Sequence, residues 1–218
     1  MIQKEKRERM AAIVAALEEV YPEPICALES GGDPWKLLVM GRLSAQCTDA
    51  RVNIVCRELF ARFPTAKDLA FAPLEEVERL IHSCGFYHAK ARNIIDSSRM
   101  LIEEFGGKMP DDMETLLRFP GVGRKIANLL RGDLFGLPAI VADTHCIRLC
   151  GRFGMYPESE KNPTRVEIIL TKLVAPEKQS DLCHRLVQFG RDVCTARAPR
   201  CTECPLQHLC EKGKKEHG

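Results

Sequence analysis

Phe119-Pro-Gly-Val-Gly-Arg-Lys-Ile-Ala-Asn128 decides the architecture of this chain, because Pro120 to Gly123 must connect two helical stretches. Upstream, Asp112 to Arg118 sets Leu116 and Leu117 among helix-forming neighbours. Downstream, Ile126, Ala127, Leu129 and Leu130 recur at helical spacing. Pro120 removes a backbone donor and ends the first helix. Gly121 and Gly123 permit positive φ and leave the backbone bare enough for a bulky anion to approach closely. The pattern reads as the turn of a helix-hairpin-helix, whose second helix offers first-turn amides and a positive dipole end to phosphate, whatever the base sequence. Arg124 lies in that first turn, and Arg118 to Arg131 holds four basic residues and no acidic one. A plain tight connection between two helices is the alternative for an isolated Pro-Gly-x-Gly.

Lys125 weighs against the plain connection. An ammonium in the first turn of a helix is disfavoured by the dipole, which favours acids there. The position marks Lys125 as a candidate for chemistry that needs a neutral amine, with a solvated surface lysine as the other reading.

The chain of 218 residues suits one or two domains, and 45% hydrophobic with 28% charged residues is the balance of a soluble globular protein. A net charge of +2 permits nucleic-acid binding without announcing it, so any basic face must arise from clustering. Met1 to Met10 is charged and no apolar run reaches the roughly 20 residues of a membrane span, so a reducing compartment is expected. There, 11 cysteines read as metal ligands for a spaced subset and small core residues for the rest, among them Cys26, Cys56, Cys146, Cys150 and Cys183.

Period-two alternation is absent throughout, and the fold is expected to be all-α. Residues 4–21 put Met10, Ile13, Val14, Leu17, Val20 and Tyr21 on one face of an amphipathic helix. Thr48 is a plausible N-cap, which leaves Gln46 at a helix junction, and Thr65 with Asp68 resembles a capping box. The chain turns at Cys84-Gly85-Phe86-Tyr87. Gly106-Gly107 stops the following helix, Asn162-Pro163 starts another, and Leu182, Leu186 and Phe189 mark the last. Glu211 to Gly218 reads as a charged tail.

Cys194, Cys201, Cys204 and Cys210 follow with six, two and five residues between them, in a stretch too short and polar to have its own core. Structural zinc usually takes two paired knuckles, and only one such pair is present. Four thiolates over unequal short spans favour a [4Fe-4S] cluster over zinc. Arg197 and Arg200 lie between the first two cysteines, where a cluster would fix them within reach of a phosphate.

With the hairpin, Lys125, Val-Ala-Asp143-Thr-His145 and this cysteine spacing together, the sequence resembles the bacterial endonuclease III family of helix-hairpin-helix DNA glycosylases over nearly its whole length. The resemblance implies two helical domains with a cleft between them: a six-helix barrel with the hairpin at 25–135, and a discontinuous iron-sulfur domain at 1–24 and 136–218. It implies a bifunctional DNA glycosylase and AP lyase of base excision repair, which removes oxidised pyrimidines through a lysine Schiff base and cleaves the strand by β-elimination. The implied partner is double-stranded DNA with damaged bases or abasic sites. The implied protein is a monomer in the bacterial cytoplasm, associated with the nucleoid through DNA, with no membrane role. By matching motif, Lys125 resembles the nucleophile and Asp143 its acidic partner. Gln46 resembles the residue that fills the space of the extruded base, Phe86 an apolar wedge, and Gly121, Gly123 and Arg124 the hairpin's DNA contacts. Cys47 and Cys84 are unusual in those loops, and Ala198 replaces a basic residue. Two rivals are a monofunctional mismatch glycosylase of the same fold, which typically lacks this lysine, and a non-catalytic iron-sulfur DNA-binding protein. Lys125 argues against the first, and the pair of Lys125 and Asp143 against the second.

Overall fold

A computed structural model describes residues 3–217, with side chains as far as Lys214, and among them there are twelve α-helices and no strand. The protein is all-α. In chain order the helices are α1 (Gln3–Val20), α2 (Pro34–Leu43), α3 (Asp49–Arg62), α4 (Ala66–Ala70), α5 (Leu74–Ile81), α6 (Tyr87–Phe105), α7 (Met113–Leu116), α8 (Arg124–Phe135), α9 (Thr144–Arg152), α10 (Pro163–Leu173), α11 (Gln179–Asp192) and α12 (Glu211–His217). They form two compact units, one of Cys26–Phe135 and one of Met1–Ile25 with Gly136–Gly218.

Helix boundaries are set by short-range chemistry. The side chains of Asp33, Thr48 and Asn162 accept from the amides of Lys36, Arg51 and Arg165, satisfying donors that have no partner within the helix. Thr65 and Asp68 complete both bonds of a capping box. At the end of α6, Gly106 and Gly107 take φ of 59° and 82°, and their amides return to Ile102 and Leu101 at 3.2 and 2.8 Å. This double return closes the last turn, and the left-handed φ needs glycine.

In the Cys26–Phe135 unit, α6 contacts α2, α4 and α5, while α8 lies on α2. Trp35, Leu59, Ile94, Leu101, Leu116, Phe119 and Leu130 share one buried cluster. Gly41 lets α2 approach α8, since a Cβ there would stand 3.2 Å from Ile126 Cγ2. Trp35 Nε1 donates to Ser98 Oγ at 2.8 Å, and that hydroxyl donates to Ile94 O at 2.7 Å, so the buried indole has its partner.

In the other unit, α1 buries Met10, Ile13, Val14 and Leu17 and packs on α10 and α11. Each such side chain contributes about 1.5–3 kcal/mol. At Gly190 of α11, a Cβ would fall 2.3 Å from His145 Nδ1 on α9, so glycine permits that approach. The charged tail is helical as α12. Arg9 Nη1 meets Glu211 at 2.6 Å, and the amide of Lys214 donates to Cys210 O, so contacts from α1 and the cysteine stretch impose a helix that the tail's composition does not announce.

Candidate functional site

The hairpin is built from α7, the connection 117–123 and α8. Asp112 caps α7 by accepting from Thr115 N at 2.8 Å, and Phe119 is buried beside Phe105 with ring centroids 5.4 Å apart. The amide of Val122 returns to Phe119 O at 3.0 Å and closes the turn. Gly121 has φ of 75°, and a Cβ there would lie 2.3 Å from Arg42 Nε and 2.7 Å from Asn93 Oδ1. Glycine is therefore required twice at this position, by backbone conformation and by space. Gly123 differs from Gly121. Its φ is not positive, and nothing lies within 4 Å of its Cβ position. Only one left-handed residue is needed to reverse the chain here, and Gly123 contributes bare, exposed backbone at the start of α8.

Gly121→Ala follows as a test. Left-handed strain plus displacement of Arg42 should cost about 1–3 kcal/mol, read as a lower melting midpoint, and should weaken duplex binding more than an equally destabilising core change does.

Arg118 pairs with Glu104 at 2.5 Å and stacks over Phe105, and Arg131 Nε donates to Asp111 O at 3.1 Å. Arg124 and Lys125 are exposed in the first turn of α8. There the free amides and the positive dipole end of the helix attract anions.

Gln46 and Phe86 are the non-glycine residues with positive φ among those described, at 53° and 46°. Both are exposed, Phe86 by 70%, so neither the backbone nor the side chain of Phe86 is held by burial. A bulky residue in this region carries strain that the surroundings must over-determine. Cys84, buried just before Phe86, has its thiol pushed up to about 11 by burial and then by neighbouring Cys47.

One face of α6 ties these pieces together at helical spacing. Lys90 Nζ donates to Leu43 O, Ala45 O and Cys84 O at 2.8, 2.7 and 2.7 Å. Asn93 Oδ1 accepts from Arg42 Nε and Nη2 at 2.9 and 2.8 Å, and Ser97 Oγ donates to Pro120 O at 3.0 Å. Residues 90, 93 and 97 thus hold the Gln46 loop, the Phe86 turn and the hairpin against a single helix.

Asp143 is the N-cap of α9, and its Oδ1 accepts from Cys146 N at 2.7 Å. The half-buried carboxylate therefore has one oxygen fixed in orientation by the helix end. His145 Nδ1 lies 3.2 Å from Arg148 Nη2. Arg148 Nη2 also donates to Cys194 O at 3.0 Å, and Arg152, one turn on, donates to Thr195 O and Ala196 O at 2.8 and 2.9 Å. The helix that presents Asp143 thus also shapes the segment that begins with Cys194.

Cys194, Cys201, Cys204 and Cys210 line one cavity, walled by Phe153, Phe189 and Pro199. Arg152 Nη1 donates to Cys194 Sγ at 3.2 Å, and Gly213 N donates to Cys210 Sγ at 3.4 Å. Burial pushes Cys204 up to about 11 and raises Cys210 as well. Thiolates at such positions need a strongly cationic partner, and four cysteines on one cavity, with donors aimed at the sulfurs of Cys194 and Cys210, fit an iron-sulfur cluster. Leu206, fully buried, is the apolar anchor of the stretch. Arg197 is exposed on it, whereas Arg200, also exposed, turns its Nη2 back onto Asp192 O.

Sequence reading missed Lys90, Asn93, Arg148 and Arg152. The available signal was spacing: Arg148 and Arg152 are one turn apart beside the Asp143 motif, and Lys90 follows Phe86 by four residues.

Residues 39–176 match the HhH-GPD superfamily of base excision DNA repair proteins, and residues 194–210 match the iron-sulfur binding domain of endonuclease III. Endonuclease III of Synechocystis sp. is 43% identical, covering 94% of this chain and 93% of the relative. That of Escherichia coli is 39% identical over 93% and 95%. A solved non-covalent endonuclease III–DNA complex superimposes with a TM-score of 0.90 at 40% identity, covering 96% and 97% of the two chains. A trapped endonuclease III–DNA covalent intermediate matches with the same score and identity over 97% and 99%.

Proposed function

The chain belongs to the endonuclease III family of helix-hairpin-helix base excision repair proteins, and on that premise we infer that it is a bifunctional DNA glycosylase and AP lyase carrying a [4Fe-4S] cluster. The observation that carries this reading is an exposed lysine in the first turn of α8, immediately beyond a hairpin whose bare backbone suits a DNA phosphate. The substrate is double-stranded DNA with an oxidised pyrimidine or an abasic site, and the protein acts as a monomer on DNA in the bacterial cytoplasm. Among the described residues no helix is long and apolar enough to cross a membrane.

In this mechanism the neutral Lys125 amine attacks the sugar C1′. The N–C1′ bond forms as the glycosidic bond breaks, and the base leaves with the bonding electrons. The substituted nitrogen gives up a proton and the C1′–O4′ bond opens, its electrons going to O4′, to leave an imine. That imine acidifies C2′; loss of the C2′ proton expels the 3′ phosphate by β-elimination. Asp143 serves as the proton-transfer group and as the negative charge that stabilises the cationic sugar. Gln46 and Phe86 enter the duplex as plug and wedge, offsetting the few kcal/mol of unstacking that flipping requires. Arg124, the amides beside Gly121 and Gly123, and Arg197 with Arg200 contact phosphates. Cys194, Cys201, Cys204 and Cys210 hold the cluster, which cross-links its own stretch of chain.

Borohydride reduction tests the reading, since only an imine gives a stable protein–DNA adduct. Base removal without any trapped adduct, across a panel of single-lesion oligonucleotides, would make water the nucleophile and the chain monofunctional. Asp143→Asn isolates the carboxylate charge, because asparagine caps a helix as well as aspartate does. The variant should melt within a few degrees of wild type yet turn over about a hundredfold or more slowly. A rate within about threefold of wild type would remove Asp143 from the chemistry.

A further inference from the structure

Lys90 is 1% exposed, and its ammonium directs its donors at the carbonyls of Leu43, Ala45 and Cys84. Nothing in the proposed chemistry uses it. A buried cation without a carboxylate partner is expensive, and here desolvation also pulls its pKa down. What it holds explains the arrangement. Ala45 O belongs to the peptide that leads directly into Gln46, and Cys84 O precedes Phe86 by two residues. The backbone amide of Lys90 also donates to Phe86 O at 3.1 Å. The two exposed left-handed residues, Gln46 and Phe86, therefore hang from one side chain. Three charge-assisted bonds to carbonyls on two separate loops are the kind of restraint that keeps strained backbone from relaxing.

We propose that Lys90 is a positioning residue that locks the Gln46 loop and the Phe86 turn in their left-handed conformations and sets the spacing of plug and wedge before DNA arrives. The assignment rests on the reading that Gln46 and Phe86 enter the duplex. Preorganisation matters because flexible loops would have to be ordered at the moment of flipping, when unstacking already opposes the step. A single-stranded substrate leaves no gap to fill and no stack to open, so it should not sense the clamp.

The test compares Lys90→Met with a paired Gln46→Gly/Phe86→Gly variant, and with all three changes combined. Each is assayed on one oxidised pyrimidine placed in a duplex and in a single strand, and on a single-stranded abasic site. Fluorescence of 2-aminopurine opposite the lesion reports flipping directly. Lys90→Met should lower the duplex to single-strand rate ratio and the flipping signal by about tenfold or more, with single-stranded abasic cleavage kept within about threefold. In the paired-glycine background the same change should alter the ratio by less than about twofold, because nothing is left to position. Equal losses on duplex and single strand, or full additivity with the glycine pair, would overturn the assignment and leave Lys90 a fold-stabilising residue. If the glycine pair itself leaves the ratio intact, the plug-and-wedge reading falls. If the pair lowers it and Lys90→Met does not, only the Lys90 assignment falls. Should Lys90→Met fail to fold, Lys90→Gln carries the test, since its amide keeps two donors; failure of both to fold would also return Lys90 to a structural role.

Discussion

Lys125→Gln is expected to abolish the borohydride-trapped adduct and to lower base removal and strand cleavage by about a thousandfold or more, the scale of losing a covalent nucleophile, while duplex affinity stays within about threefold. The reason for the separation lies in the position. Lys125 is exposed at the second residue of α8, so glutamine, of similar length and helix propensity, disturbs no packing. In the proposed reading, phosphate recognition by the hairpin rests on backbone amides and Arg124, which the change leaves in place. Binding measured at several salt concentrations should give parallel slopes for the two proteins, offset by no more than one phosphate contact. Persistence of the adduct in Lys125→Gln would move the nucleophile to another amine.

The second large effect concerns the cluster. Wild-type protein should be brown and contain about four irons, and Cys201→Ser should lose most of that iron. The structural consequence should exceed that of an ordinary surface change. Between Cys194 and Cys210 the chain has Leu206 as its apolar anchor, and otherwise short 3-10 turns at Cys201–Glu203 and Gln207–Leu209. Without the cluster, burial that already opposes thiolates at Cys204 and Cys210 leaves no reason for the four sulfurs to converge. Arg152 would then donate to carbonyls of a stretch that no longer holds its shape. Because metal binding and folding are coupled in such a segment, the melting midpoint should fall by about 5 °C or more. The loop at Thr195–Arg200 should become sensitive to protease. Elemental analysis that finds zinc and no iron, or unchanged iron in Cys201→Ser, would contradict the ligand set.

The two experiments are independent, because Lys125 lies in the Cys26–Phe135 unit and the four cysteines in the other. A Cys201→Ser protein that still forms the adduct on single-stranded abasic DNA would assign the cluster to structure and DNA contact rather than to the bond-breaking steps.

What the amino-acid sequence determined by itself is everything whose physics is completed within four or five residues. Thr48, Asn162 and the Thr65–Asp68 capping box sit where the sequence reading put them, because each satisfies amides of its own first helical turn. The Gly106–Gly107 stop and the left-handed Gly121 are likewise local, as is the buried face of α1. Tertiary structure alone decided the rest. The tail after Cys210 is helical through contacts with Arg9 and with Cys210 itself, and Gly123 keeps an ordinary φ because Gly121 already reverses the chain. Lys90, Arg148 and Arg152 left no trace in a hydrophobic pattern, since charged residues are read there as surface. The partners of the Lys90 ammonium are backbone carbonyls, between 6 and 47 residues away, and every residue carries such an acceptor. Sequence therefore offers no complementary side chain to find, and only the folded backbone, by bringing those carbonyls to one point, makes a buried cation necessary.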